Sequence, residues 1–137
     1  MKRLFVDTAG WMMLADGADP AHAAARAVRD DWLERSGLLV TTDFVMDETL
    51  TLIRARLGLA AAESFADRVD SSRRLAWEWI DATRFDRARD WFFRWRDQAF
   101  SFTDCTSFVV MRELRVSVAL TTDRHFRAAG FQVLPRK

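Results

Sequence analysis

Short apolar runs alternate with longer amphipathic segments along the chain. Apolar runs bounded by polar or turn residues predict buried strands, and apolar residues three and four positions apart predict helices. The predicted strands are Leu4–Val6, Leu38–Thr41, Leu75–Ile80, Val116–Thr121 and Phe131–Leu134. The predicted helices run from Pro20, capped by Asp19, to Gly37, from Asp43 to Leu57, from Ala60 to Val69, from Thr83 to Ala99, from Ser101 or Thr103 to Leu114, and through a short segment that ends at Gly130.

Strands that alternate with helices are typical of a parallel sheet covered by helices on both faces. The sequence therefore predicts an α/β fold. The length of 137 residues suits one domain, which we expect to span 1–137. In open parallel sheets, ligands bind beyond the carboxyl ends of the strands, so polar residues at those positions are the first candidates for a functional site.

Composition limits the cellular compartments in which we expect the protein. The single cysteine, Cys105, cannot form an intramolecular disulfide, which favours a reducing compartment. The apolar runs are too short for a membrane span, and the run after Lys2 and Arg3 is too short for a signal-peptide core. We therefore expect a soluble cytoplasmic protein that does not enter a membrane.

The overall charge does not by itself indicate a nucleic-acid-binding protein. The chain has 21 Lys and Arg against 20 Asp and Glu, a formal net charge of +1. Nearly all the cations are arginines, which suit bidentate contacts with phosphate, but a coding bias explains their number more simply.

Four carboxylates are predicted at one edge of the sheet. Asp7 directly follows the first strand, and Asp123 lies just past the fourth. Asp104 falls in the first turn of a predicted helix. Glu48 lies in the middle of the helix after the second strand, and a helical projection places it between apolar residues, whereas its neighbour Asp47 lies on the polar side.

Each aspartate also has a structural interpretation, because Asp7 and Asp123 can cap helices and an acid in a first turn suits the helix dipole. Glu48, in mid-helix, has no such alternative. Four carboxylates in one pocket imply a bound cation, and all-oxygen ligands favour Mg²⁺ or Mn²⁺. His22 and His125 lack the spacing of zinc ligands, and we expect His125 to be structural.

Four stretches of sequence carry a family resemblance. They are Leu4–Thr8, Asp47–Leu52, Ser101–Phe108 and Leu120–Phe126. In this order and at this spacing, the chain resembles the PIN-domain ribonucleases, especially the toxins of VapBC-type toxin–antitoxin pairs. The resemblance implies a three-layer α/β/α sandwich, an Mg²⁺- or Mn²⁺-dependent endoribonuclease, a homodimer and a small antitoxin partner.

The resemblance also assigns roles to residues. It makes Asp7, Glu48, Asp104 and Asp123 the catalytic acids, with Asp7 and Asp104 as direct metal ligands. Glu48 and Asp123 are then expected to bind the metal through water or to orient the nucleophile. The hydroxyls of Thr8 and Thr103 are expected to add contacts.

The predicted long helix has two faces of interest. One is an expected core stripe, made of Phe85, Ala88, Phe92, Trp95 and Ala99. Beside it lie Arg84, Arg87, Trp91 and Arg94. This second face fits RNA binding, a dimer or antitoxin surface, or a solvated face with ion pairs, and the sequence does not decide between them.

Three other classes of protein share parts of this pattern. A phosphorelay receiver needs a lysine near the end of a late strand, but the lysines here are Lys2 and Lys137. A DNA-directed flap or exonuclease has similar acids, yet this chain is short for a helical arch. A catalytically inactive PIN-like module that only binds a partner is disfavoured by the four intact acids.

Overall fold

A five-stranded parallel sheet forms the centre of the protein. The computed structural model describes residues 2–136, so Met1 and Lys137, the ends of the predicted domain, lie outside the described residues. The strands, in the spatial order β3-β2-β1-β4-β5, are β1 (Arg3–Val6), β2 (Leu38–Thr42), β3 (Leu75–Glu78), β4 (Val118–Leu120) and β5 (Gln132–Leu134). The flanking helices are α1 (Thr8–Ala15), α2 (His22–Glu34), α3 (Asp43–Leu57), α4 (Leu59–Ser71), α5 (Ala82–Arg94), α6 (Phe102–Leu114) and α7 (Arg124–Ala128). The predicted α/β/α class is confirmed.

The central strand is the most apolar because layers cover both of its faces. Leu4, Phe5 and Val6 in β1 have no solvent exposure. A continuous apolar run, rather than an alternating one, is the pattern of a strand buried on both sides. Val6 lies opposite Leu120 of β4, which fixes the register of the two strands that end at the predicted acid edge.

Several helix boundaries differ from the predictions because side chains act elsewhere. Asp19 accepts a hydrogen bond from the N–H of Ala21 in a turn, and α2 begins only at His22. Thr42, rather than Asp43, caps α3 by accepting from the N–H of Val45. The Asp43 carboxylate instead accepts from the N–H of Ile80, which ties the end of β3 to the start of α3.

The expected core stripe on α5 is wrong for most of its members. The helix ends at Arg94, so Trp95 and Ala99 lie beyond its helical face. Of the stripe only Ala88 is fully buried. Exposed aromatic side chains remain on this part of the surface, and we call them the α5 apolar patch: Phe85, Phe92, Phe93 and Trp95.

No helix within residues 2–136 is both long and apolar enough to cross a membrane.

Candidate metal centre

The order of the strands indicates that the candidate site lies at the carboxyl ends of β1 and β4. The chain moves from β1 to β2 on one side of the sheet and later returns to β4 on the other side of β1. The carboxyl ends of β1 and β4 are therefore a topological switch point, where parallel sheets leave a crevice for ligands. Asp7 follows β1 directly, and Asp123 follows β4 after two threonines.

A cavity of about 250 Å³ lies at this edge, and all four predicted acids line it. They come from four parts of the chain: the end of β1, the middle of α3, the start of α6 and the loop after β4. We call this cavity the acid pocket. Its lining residues are Asp7, Thr8, Ala9, Val45, Glu48, Leu52, Arg56, Thr103, Asp104, Ser107 and Asp123.

Asp7 is the most buried of the acids. It caps α1, since one carboxylate oxygen accepts from the N–H of Gly10 at 2.8 Å and the other accepts from the Thr121 hydroxyl at 2.7 Å. Burial, aided by the charges of Asp123 and Asp104, raises the pKa of Asp7 to about 7 despite the two hydrogen bonds, which lower it. Asp7 is therefore a helix cap as well as a pocket residue, and the capping bonds hold its carboxylate in the pocket.

Gly10 allows this arrangement. A Cβ atom at Gly10 would lie 2.1 Å from the carbonyl oxygen of Leu120, far inside van der Waals contact. Only glycine lets the first turn of α1 lie directly against the end of β4. The close approach brings Asp7 within reach of Thr121.

Thr121 links two of the acids, although sequence analysis did not single it out. Its hydroxyl donates to Asp7 and accepts from the backbone N–H of Asp123 at 2.9 Å. The side chain is fully buried. A threonine directly after an apolar strand and two residues before an acid was the available signal in the sequence.

Asp104 is both a helix cap and a pocket residue. Its backbone N–H donates to the Ser101 hydroxyl at 2.9 Å, and its carboxylate accepts from the N–H of Ser101 at 3.1 Å, which forms a capping box. Burial raises the pKa of Asp104, while the bond from Ser101 opposes the rise. The capping box fixes the direction in which this carboxylate points.

His125 lies between two of the acids. Its ring Nδ1 is 3.1 Å from an oxygen of Asp104 and 3.3 Å from an oxygen of Asp123. Asp123 also caps α7 by accepting from the backbone N–H of His125. One donor atom from each of these three residues lies within 4.8 Å of the other two. The contact with Asp104 joins two separate elements, so it has no zinc-type spacing along the chain.

Glu48 lines the acid pocket but is exposed to solvent. The expectation that it lies on a packed face is therefore wrong. The buried side of α3 carries Val45, Met46, Thr49 and Ile53, and Glu48 lies beside it at the rim of the pocket. Asp47 is exposed and is not among the pocket's lining residues.

The pocket has the chemistry of a divalent-cation site. Its acids repel one another, and Arg56 is the one cationic side chain among its lining residues. The hydroxyls of Thr8 and Ser107 are buried with no hydrogen-bond partner within residues 2–136. Buried polar groups normally have partners, so these two oxygens fit a hydrated cation and its water. Thr103, the other predicted hydroxyl, also lines the pocket.

Two of the three arginines on the predicted arginine face of α5 are paired with acids. Arg84 bonds to Glu78 at 2.9 Å and to Glu113 at 3.0 Å, and Arg87 bonds to Glu113 at 2.8 Å. Trp91 is half-buried and packs against Phe108. These contacts favour the interpretation of this face as an ion-paired surface.

Comparisons with known proteins agree with this geometry. The PIN domain family model matches residues 4–132. The 23S rRNA-specific endonuclease VapC20 of Mycobacterium tuberculosis is 34% identical over 129 residues, which cover 93% of this chain and 95% of that protein. Ribonuclease VapC26 of the same organism is 27% identical over 128 residues, which cover 91% and 90%.

Solved structures show the same likeness. The crystal structure of VapC20, described as a sarcin–ricin loop cleaving toxin, superposes with a TM-score of 0.85 over 93% of this chain and 95% of that chain, at 34% identity. The structure of FitAcB from Neisseria gonorrhoeae superposes with a TM-score of 0.65 over 96% of both chains. Its identity is 14%, so it supports the fold alone.

Proposed function

The chain belongs to the PIN-domain family, and from that premise we propose that it is a metal-dependent endoribonuclease, the toxin of a type II toxin–antitoxin pair. The main support for this proposal is that four carboxylates from four parts of the chain line one cavity at the switch point of the sheet. The 34% identity to VapC20 across nearly the whole of both chains supports RNA as the substrate.

We assign the metal-holding role to Asp7 and Asp104, as the family resemblance implies. A bound Mg²⁺ or Mn²⁺ supplies charge for the phosphate and acidifies an attacking water. Thr121 and Gly10 hold the Asp7 carboxylate, and Ser101 holds that of Asp104. Fixed ligands avoid the cost of reorganising the site during hydrolysis.

The remaining acids orient the water in this proposal. Glu48 lines the pocket at its solvent side, and in this proposal it would accept a proton from the water that attacks phosphorus. Asp123 is held by Thr121 through its backbone N–H and would orient the same water or hold the cation through water. The water oxygen bonds to phosphorus, the bond from phosphorus to the leaving oxygen breaks, and the leaving oxygen takes a proton from solvent, which cleaves the RNA internally.

The proposal includes a homodimer, a small antitoxin and a cytoplasmic location, where ribosomal RNA is found. The α5 apolar patch supports a protein interface, because exposed aromatic groups of this kind mark interaction surfaces. Trp79 is also largely exposed and stacks on Trp77, with ring centroids 5.8 Å apart.

The direct test is metal-dependent cleavage of RNA. Since VapC20 is specific for 23S rRNA, that RNA is the first substrate to assay, beside a matched DNA oligonucleotide. We expect internal cleavage of RNA with Mg²⁺ or Mn²⁺ and none after EDTA, with the products resolved on a denaturing gel. Undiminished cleavage in EDTA contradicts the mechanism, cleavage of DNA alone favours the DNA-directed alternative, and no cleavage of either favours a partner-binding module.

Arg56 should contribute to RNA binding, because it lies among the acids of the pocket, in line with Glu48 and Leu52 on α3. A guanidinium there offers the phosphate a paired hydrogen-bond donor. We expect Arg56→Ala to raise KM about three- to tenfold and to lower the slope of affinity against salt by about one counterion. Arg54→Ala is the matched control, since Arg54 is exposed on the same helix and is not a lining residue. Equal effects of the two substitutions contradict a specific role.

A further inference from the structure

His125 is the part of the site that family resemblance did not assign. Its Nδ1 approaches Asp104 and Asp123 at 3.1 and 3.3 Å, from the first turn of α7. The ring packs edge-on against Phe100, with centroids 5.5 Å apart, which restricts its orientation. The imidazole is thus held with one nitrogen toward two carboxylates.

These distances match those between neighbouring ligands of one metal ion. Ligands at the short bond lengths of an octahedral site lie about 3 Å apart when they are adjacent. The nitrogen is at that spacing from both carboxylates, and all three donor atoms fall within 4.8 Å of one another. Without an ion, Nδ1–H donates a hydrogen bond to Asp104, so a bound cation would take the place of that proton between Nδ1 and the two carboxylates.

The buried hydroxyls support a ligand here independently of the acids. The Ser107 side chain is 1% exposed and lines the acid pocket, yet its oxygen has no hydrogen-bond partner within residues 2–136. Asp104 and Ser107 lie three residues apart on α6, so they share a face of that helix. An unpartnered oxygen beside the carboxylates is what a hydrated ion would satisfy.

We propose that Nδ1 of His125 is a direct ligand of the cation and makes the centre prefer Mn²⁺ to Mg²⁺. The proposal rests on the proposed function only in taking a divalent cation to bind at Asp104, which lines the acid pocket and contacts His125. Mg²⁺ strongly favours oxygen ligands, whereas imidazole suits transition metals and carboxylates suit Mn²⁺. An imidazole added to the carboxylate ligands therefore favours Mn²⁺ over Mg²⁺. Ligation requires the tautomer that carries its proton on Nε2, with Nδ1 free.

The test is the metal-binding spectrum of the full chain, without RNA. Electron spin echo spectroscopy of the Mn²⁺-loaded protein, with histidine labelled by ¹⁵N, should show coupling to one histidine nitrogen. His125→Phe keeps a ring against Phe100 and should lose that coupling. His22→Asn is the matched control, because the Nδ1 of His22 lies 2.8 Å from the carbonyl of Met13, away from the pocket, and the coupling should persist.

Affinities give the second readout. Titration of Mn²⁺, with Mg²⁺ as competitor, should show that His125→Phe weakens Mn²⁺ binding at least about tenfold and Mg²⁺ binding much less. His125→Asn, which offers an oxygen instead, should also reduce the preference for Mn²⁺. Melting curves of the metal-free variants establish that they fold. Absence of histidine coupling in the parent, absence of Mn²⁺ binding, or an unchanged Mn²⁺ to Mg²⁺ ratio in folded His125→Phe overturns the inference.

The outcomes separate this inference from the proposed function. A parent protein that binds Mn²⁺ through histidine but cleaves no RNA contradicts the function and leaves the ligand assignment standing. A parent protein that cleaves RNA with Mn²⁺ bound but shows no histidine coupling supports the function and contradicts the ligand assignment.

Discussion

Asp7→Asn should abolish RNA cleavage and, in metal-free protein above neutral pH, should stabilise the fold. Loss of a metal ligand should lower kcat/KM by more than about 100-fold, beyond the usual cost of losing a residue that only orients one. The stability of the variant should rise, because the parent must keep the charged carboxylate of Asp7 at only 6% exposure. Asparagine can keep the bond from Gly10 through its carbonyl oxygen.

The sign of the pH dependence follows from the raised pKa. Burial takes the pKa of Asp7 from 3.8 to about 7 in the folded protein. Between these values the folded state holds a proton that the unfolded state has released, so the free energy of unfolding falls as pH rises. The loss is at most about 1.4 kcal/mol per pH unit for one proton. Well below pH 3.8 both states are protonated, and Asp7 adds no pH dependence.

Thermal unfolding in EDTA, from pH 4 to pH 8, measures this effect. The melting temperature of Asp7→Asn should exceed that of the parent by an amount that grows up to about pH 7 and then levels off. Asp47→Asn, at an exposed acid outside the pocket, should follow the parent. Added Mn²⁺ or Mg²⁺ at pH 8 should stabilise the parent more, because the ion binds the native state. If Asp7→Asn melts far below the parent throughout, the carboxylate is chiefly a helix cap.

Glu48→Gln should remove most of the activity, while Asp47→Asn should leave most of it. The two acids are neighbours on α3, but only Glu48 lines the acid pocket. Glutamine keeps the size of the side chain and loses the negative charge that accepts a proton or orients water. We expect kcat to fall about 10- to 100-fold for Glu48→Gln and less than about twofold for Asp47→Asn.

Both α3 variants should melt near the parent, because both positions are exposed. Single-turnover cleavage with saturating enzyme separates a loss of chemistry from a loss of RNA binding. The reverse ranking of the two variants would remove Glu48 from the site. An equal loss in both would point to a general effect of charge on this helix.

The fold class and the convergence of Asp7 and Asp123 follow from the sequence because local rules govern both, while the family resemblance added Glu48 and Asp104. A central strand such as Leu4–Val6 must be apolar along its whole length when both faces are covered. Asp7 and Asp123 come just after strands, and parallel strands end at a common edge, so their convergence needs no coordinates. The sequence located these acids from topology alone.

The burial of individual helix residues could not be predicted from the hydrophobic pattern. Phe44 and Leu52 made the arc around Glu48 look buried, but they are only partly covered, and Glu48 is exposed. The stripe on α5 has helical spacing, yet Phe85 and Phe92 keep 40% and 37% of their surface exposed. Hydrophobic spacing marks which residues share a face, but it cannot reveal whether another element covers that face.

The sequence by itself thus determined which acids meet, while the tertiary structure decided how they are held. The link from Asp7 through Thr121 to Asp123 depends on Gly10 lying against the end of β4. The approach of His125 to Asp104 joins residues 21 positions apart from two separate helices. Such contacts depend on distances and directions set by packing, and no spacing along the chain specifies them.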